Sequence, residues 1–297
     1  MKLFWCALLA LGLGASVSLA GDDAYAQEIA AARAARVARL TTPDGWLTLI
    51  GLHFLSPGES TVGHAKDNAI VLAAGPAHVG TATLAADGRV TFALAPGADA
   101  QIGGQAVRAG ELRLGEGAAK PTLVTAGTVS FFVIDRGGRK ALRVKDSAAE
   151  RRTHFLGLDY FPIDASWRIE ARWVAFEKSR LIPVTNILGQ TAPEPSPGNA
   201  VFEHDGKTYE LLPIDEGPGE PLFFVISDAT SGQETYGASR FLYADWPKDV
   251  KIVLDFNRAQ NPPCAFTPFA TCPLPPKENR LPFAVTAGEK KYRGEHE

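Results

Sequence analysis

The stretch TVSFFVIDRGGRKALRV, residues 128–144, decides how the first half of the chain folds. Two apolar runs of strand length, TVSFFVI and ALRV, flank the turn residues DRGGRK. Short runs bounded by glycine and rich in β-branched and aromatic residues read as strands. The same punctuation recurs upstream. From Trp46 to about Val144, the runs WLTLIGLHFL, NAIVL, TATL, RVTFAL and ELRL alternate with PGES, ADG and APGADAQIGG. Strand-length runs at such regular spacing predict a sandwich or barrel.

Ahead of this region the pattern is helical. AQEIAAARAARVARL, residues 26–40, is built from alanine and arginine, both strong helix formers. Ile29, Ala32, Arg33, Arg36, Val37 and Leu40 recur at spacings of three and four, and TTPDGW then ends the helix with Pro43 and Gly45. The basic run of Arg33, Arg36 and Arg39 reads as one face of that helix. The formal net charge of the 297-residue chain is -3, and no basic stripe of the kind that grips nucleic acid is present.

The first twenty residues, MKLFWCALLALGLGASVSLA, have one lysine, an apolar run and a small-residue tail. This is the pattern of a secretory signal peptide. Cleavage is expected after Ala20, with Ala26 as the alternative. The apolar run is shorter than the roughly 20 residues that span a bilayer, and no later segment is long and apolar enough to do so. Cys6 lies inside the signal. Its removal leaves Cys264 and Cys272, and export predicts that they pair as a disulfide. Their C-x7-C spacing matches neither a CxxC redox motif nor a zinc pattern. The organisation expected is a signal over 1–20, a helix and linker over 21–45, a β-sandwich over 46–148, and a second β domain over 149–297 with a Pro-rich cysteine loop.

In the second half, SWRIEARWVAF places Trp167, Ile169, Ala171, Trp173 and Ala175 on one face, as a half-exposed strand does. TAPEPSPGN reads as a Pro-rich loop. AVFEHDGKTYELLPI reads as a hairpin turning at Asp205-Gly206. PLFFVIS, SRFLYA and KIVLDF complete a mostly β half. Residues 235–243 and 250–256 are expected to pair as a hairpin, with Tyr243 opposite Val250. That register buries Phe241, Ile252, Leu254 and Phe256 and gathers Tyr236, Arg240, Asp255 and Asn257 on a polar face. Arg240 and Asp255 then form either a structural ion pair or one wall of a pocket for an anionic group. The stiff loop that follows would wall that pocket or simply cap the fold.

Standard chemistries find little support. There is no G-x-S-x-G elbow. The histidines form no H-x-H or HExxH pattern, so no metal site and no cofactor is expected. GEGAAKPT lacks the spacing of a phosphate-binding loop. The carboxylates Asp228, Glu234 and Asp255 leave open an acid–base pair.

The block LFFVISDATSGQETYGASRFLYADWPKDVKIVLDFNRAQNPPCAFTPFATCPLPPKENRLPFAVTAGEK closely resembles the bacterial domain of unknown function 1684 family. TTPDGWLTLIGLHFLSPGESTVG and FFVIDRGGRKALRVKDS resemble it too. Members are often exported, and no activity is implied. Ser239 and Gln260 depart from the family's usual glycine and tyrosine, but Arg240, Asn257 and Asn261 are kept. The first half, LSPGESTVGHAKDNAIVL onward, also looks like a forkhead-associated sandwich. Gly63-His64 and Pro76 stand where that fold carries its phosphate-binding groups, so the resemblance implies fold without phosphothreonine reading.

These readings converge on a mainly β, exported protein, periplasmic or secreted. An N-terminal helix precedes a forkhead-associated-like sandwich packed on a second antiparallel β domain. A small-molecule or glycan-like ligand is expected at Tyr236, Arg240, Asp255, Asn257, Asn261 and Asp228. A hydrolase using the same groups, or an envelope interaction or scaffold protein, is the alternative. Protein partners are not legible.

Overall fold

The structure is a computed structural model that describes residues 15–115 and 119–294. The first fourteen residues of the expected signal lie outside it. Helix α1 spans Ala15–Leu40, so it begins upstream of the expected start at Ala26 and runs through the expected cleavage point. No proline interrupts the chain before Pro43, and Ala-rich sequence carries the helix on.

Strands then follow in chain order: β1 Leu49–Phe54, β2 Gly58–Gly63, β3 Ile70–Val71, β4 Gly80–Leu84, β5 Val90–Leu94, β6 Gln101–Ile102, β7 Ala109–Glu111, β8 Val124–Ala126, β9 Val129–Arg136 and β10 Arg139–Asp146. They form two sheets, ordered β1-β10-β9-β8-β6 and β3-β2-β4-β5-β7. One core lies between them, with Val62, Ala82 and Phe92 from one sheet meeting Phe131, Leu142 and Val144 from the other. The rings of Phe92 and Phe131 meet edge to face at 5.2 Å. The opening stretch is β9, a turn and β10, with Arg136 opposite Arg139. Gly137 and Gly138 take φ of 60° and 80°, which the two-residue turn demands and glycine supplies without strain.

The second half contains β11 Arg168–Thr185, β12 Thr191–His204, β13 Lys207–Leu211, β14 Leu222–Ile226, β15 Arg240–Ala244 and β16 Lys251–Asp255. The order is β13-β12-β11-β16 in one sheet and β14-β15 in another. The described chain is thus mainly β with antiparallel pairing throughout except β2 with β3. The hairpin at Asp205-Gly206 is present, with His204 opposite Lys207. Trp167, Ala171 and Trp173 face the core as expected, while Ala175 is exposed beside an irregularity in the β11–β12 register.

Two expectations fail for identifiable reasons. The Pro-rich segment is not a loop. It forms the first half of β12, with Pro193 opposite Pro183 and Pro195 opposite Leu181. Proline cannot donate to a ladder, so it is tolerated only where its nitrogen points off a strand edge. β13 pairs β12 only from Ala200 onward, so Pro193, Pro195 and Pro197 alternate along an otherwise open edge. The carbonyl of Pro195 points that same way and accepts from Asp215 N at 2.8 Å.

The expected hairpin between residues 235–243 and 250–256 does not form either. β15 pairs with β14, placing Arg240 opposite Ile226, and β16 pairs with β11, placing Asp255 opposite Arg168. Leu242 and Ala244 do share a core with Ile252, Leu254 and Phe256, but across two layers rather than side by side. Phe241 and Tyr243 point the other way, into a second cluster with Phe223 and Val225. The β14–β15 ribbon is therefore buried on both faces, which explains its nearly unbroken apolar sequence. An alternating pattern fixes which residues face a core, not whether two strands line it edge to edge or face to face.

Candidate anion-binding cleft

β10 carries the first element of the site. Leu142 and Val144 enter the sandwich core, so Arg143 and Lys145 project from the opposite face of the same sheet. That face is covered by α1 and the second half. Arg143 is 7% exposed. Its guanidinium carbon lies 5.4 Å from the ring centroid of Trp46. Its Nε and Nη2 are shut off from solvent with no hydrogen-bond partner, and no carboxylate pairs with it among the described residues. Burial pushes its pKa down to about 10, which leaves it charged at neutral pH. An uncompensated buried cation costs several kcal/mol, on the order of 3–5 when a partner is removed.

Three more arginines converge on the same place. Arg136, at the end of β9, uses Nη1 on Asp135 O at 3.1 Å, and its Nε has no partner. Arg36 of α1 donates from Nε to Glu289 Oε1 at 3.0 Å and from Nη2 to Asn261 O at 2.8 Å. Arg33, one turn earlier, donates from Nη2 to Phe161 O at 3.1 Å and stacks 4.2 Å over the Tyr160 ring. Each of the four keeps at least one terminal nitrogen with no hydrogen-bond partner among the described residues: Nη1 of Arg33 and Arg36, Nη2 of Arg136, and both Nη1 and Nη2 of Arg143.

These groups line adjoining cavities. A chamber of about 260 Å³ has Arg36, Arg136, Arg143, Glu216, Tyr243, Gln260 and Asn261 in its walls. One of about 490 Å³ shares Arg36, Tyr243 and Gln260 with it and adds Arg33, Arg39, Tyr160 and Asn257. Glu289 lines the larger chamber, buried, holding Arg36 and accepting from Asn261 N at 2.7 Å. Burial raises its pKa against the pull of Arg36.

The residues expected to form the site are dispersed. Arg240 does not meet Asp255. Its Nη2 binds Asp228 Oδ2 at 2.7 Å and Val285 O at 3.0 Å, wholly inside the second half. Asp228 also accepts from Thr230 N at 2.8 Å and Val285 N at 3.2 Å, so the pair is a structural buttress in which the charge is matched and only Arg240 Nε lacks a partner. Asp255 instead accepts from Tyr25 Oη at 2.8 Å and lies 3.4 Å from Arg258 Nε. Asn257 donates to Tyr25 Oη at 2.9 Å and to Asp164 O at 2.7 Å. Tyr236 donates to Cys264 O at 3.1 Å. Of the six, Asn257 and Asn261 reach the cleft; Tyr236, Arg240, Asp255 and Asp228 do not.

The expected disulfide is absent. Cys264 and Cys272 are both free and buried. They are neighbours, but the Cys272 sulfur is engaged as an acceptor from Cys264 N at 3.2 Å. Among the described residues no group of His, Cys, Asp and Glu is placed to hold a metal ion.

Neither Arg136 nor Arg143 was singled out in the sequence, yet for Arg143 a signal exists. FFVI and ALRV are apolar at positions of both parities, which implies a sheet covered on both faces. An arginine inside such a run must therefore be buried.

Residues 153–290, which supply the second-half wall of the cleft, match the family model of DUF1684, "Protein of unknown function". The chain belongs to the DUF1684 family. An uncharacterized protein from gene locus rrnAC0354 of Haloarcula marismortui, solved by solution NMR, is 32% identical over 49% of this DUF1684 chain and 82% of its own, with a TM-score of 0.41. Rad53 1-466 in complex with AMP-PNP is 10% identical over 73% of this chain and 50% of its own, with a TM-score of 0.18. Neither superposition is close enough to bear on fold or ligand, and the forkhead-associated likeness of the first half is not shown. No curated protein matches.

Proposed function

We propose that this DUF1684 protein is an exported binder of a small anionic molecule, held in the cleft between α1, the β9–β10 face and the second half. The observation that carries the reading is Arg143. A buried guanidinium on a cavity wall, with two sealed nitrogens and a third that all lack a protein partner, is costly unless something else answers its charge. A carboxylate or phosphate offers the planar, bidentate geometry that a guanidinium matches.

The test is thermal unfolding of wild type and Arg143→Met with and without inorganic phosphate. Wild type should gain several degrees at saturating phosphate through mass action. Arg143→Met should lose that gain, and without phosphate it should be as stable as wild type or more so, because the unpaired charge is gone. An undiminished phosphate shift in the variant would refute the reading.

Export, to the periplasm or beyond, is supported by the N-terminal pattern of one lysine, an apolar run and small residues. Cleavage after Ala20 keeps Tyr25, whose hydroxyl fastens α1 to Asp255 and Asn257; cleavage after Ala26 would discard it. Mass spectrometry of protein from its native host should find Gly21 at the terminus.

A further inference from the structure

We infer that the ligand carries two anionic groups on one small molecule, one in each chamber on either side of Arg36. This rests on the anion-binding reading above and adds the shape of its charge.

The two chambers share Arg36, Tyr243 and Gln260, so they adjoin. Arg36 is fixed between them by Glu289 and Asn261 O, and its remaining Nη1 has no protein partner. In the smaller chamber Arg136 and Arg143 have no ion pair among the described residues, and the one acid on its wall, Glu216, makes none with them and has its pKa raised by burial. A single anion there answers their charge and leaves the larger chamber untouched.

The larger chamber is cationic for independent reasons. Arg33 has an orphaned Nε and a free Nη1, and Arg39 makes no ion pair among the described residues. Arg258 on the same wall is already matched, by Glu28 and by Asp255. Glu289 is committed to Arg36 and to the Asn261 amide. Asp245 is the remaining acid on this wall, one carboxylate against the two unpaired guanidinium groups of Arg33 and Arg39. Each end of the cleft therefore carries more unpaired guanidinium groups than uncommitted carboxylates, Arg136 and Arg143 against Glu216 at one end and Arg33 and Arg39 against Asp245 at the other, in a chain whose formal net charge is -3. One molecule with anions at both ends compensates both and gains by linkage, since its second contact is intramolecular.

Calorimetric titration of the full chain tests this, with inorganic phosphate against α,ω-bisphosphonates of increasing methylene spacer and the matching dicarboxylates. The best spacer in either series should bind about 100-fold tighter than phosphate or more, with an optimum at one length. The series that binds tighter identifies the anion. Arg33→Met should bring the best bis-anion down to the affinity of phosphate. Arg33→Gln, which keeps a donor for Phe161 O, serves as the second variant and should do the same. Bis-anions no tighter than phosphate, with phosphate binding intact, would overturn the two-anion inference alone. Absence of binding to phosphate and to every bis-anion would overturn the anion site as well.

Discussion

Arg240 and Arg143 are both buried arginines, and the difference between them separates structure from function. Arg240 is 1% exposed and meets Asp228 and two backbone carbonyls. Removing either member of that pair strands the other charge in the interior. Arg240→Ala and Asp228→Ala should each cost roughly 3–5 kcal/mol in urea unfolding, with the double variant far less than their sum. Additive effects would mean that the two charges do not rely on each other. The cysteines make a second residue-scale claim. Both are free and buried, so a thiol reagent should find almost nothing in the native protein and two thiols after denaturation. Cleavage after Ala20, where it occurs, takes Cys6 out of that count. Finding none in denatured mature protein would restore the disulfide.

Among the elements, the β11–β12 ribbon is the most demanding. Gly198 lies opposite Ala175, next to the irregularity in register. A Cβ there would come within 2.5 Å of Trp173 Cζ2 and 2.6 Å of Val174 O. Gly198→Ala should therefore destabilise by about 1–3 kcal/mol through overpacking against a buried ring, read from the shift in the urea midpoint. A neutral effect would show that Trp173 yields. The ribbon also shows how far local pattern reaches. Ile169, Ala171 and Trp173 declare their face by alternation, and Asp205-Gly206 declares its turn. The prolines at 193, 195 and 197 suggested a loop, because composition cannot reveal that their shared parity points every missing N–H away from the partner strand. β15 and β16 were each legible as strands, and Ile252, Leu254 and Phe256 as core residues, but Leu242 and Ala244 join them where Phe241 and Tyr243 were expected. The partners of the two strands were not legible, since β14 and β11 are supplied by distant sequence.

For the whole molecule, the mainly β architecture followed from strand-length runs, but the site did not. It is assembled from three remote places: Arg33 and Arg36 near the N-terminus, Arg136 and Arg143 on one hairpin, and residues 243–289 of the second half. No spacing rule joins such groups, and the polar residues that do cluster in sequence, Arg240 and Asp255, are drawn into separate internal bonds. α1 is the piece that closes the cleft. It is fastened to the second half through Tyr25, Arg33 and Arg36, yet the chain leaves it at residues 41–45 to begin the first half. It is thus a terminal segment docked by side chains alone onto a surface far away in sequence. The molecule is in that sense a natural split protein. A chain starting at Trp46 and a synthetic peptide of residues 21–45 should complement each other: neither should respond to phosphate alone, and mixing them should restore the response. The same peptide carrying Arg36→Ala should fail to do so.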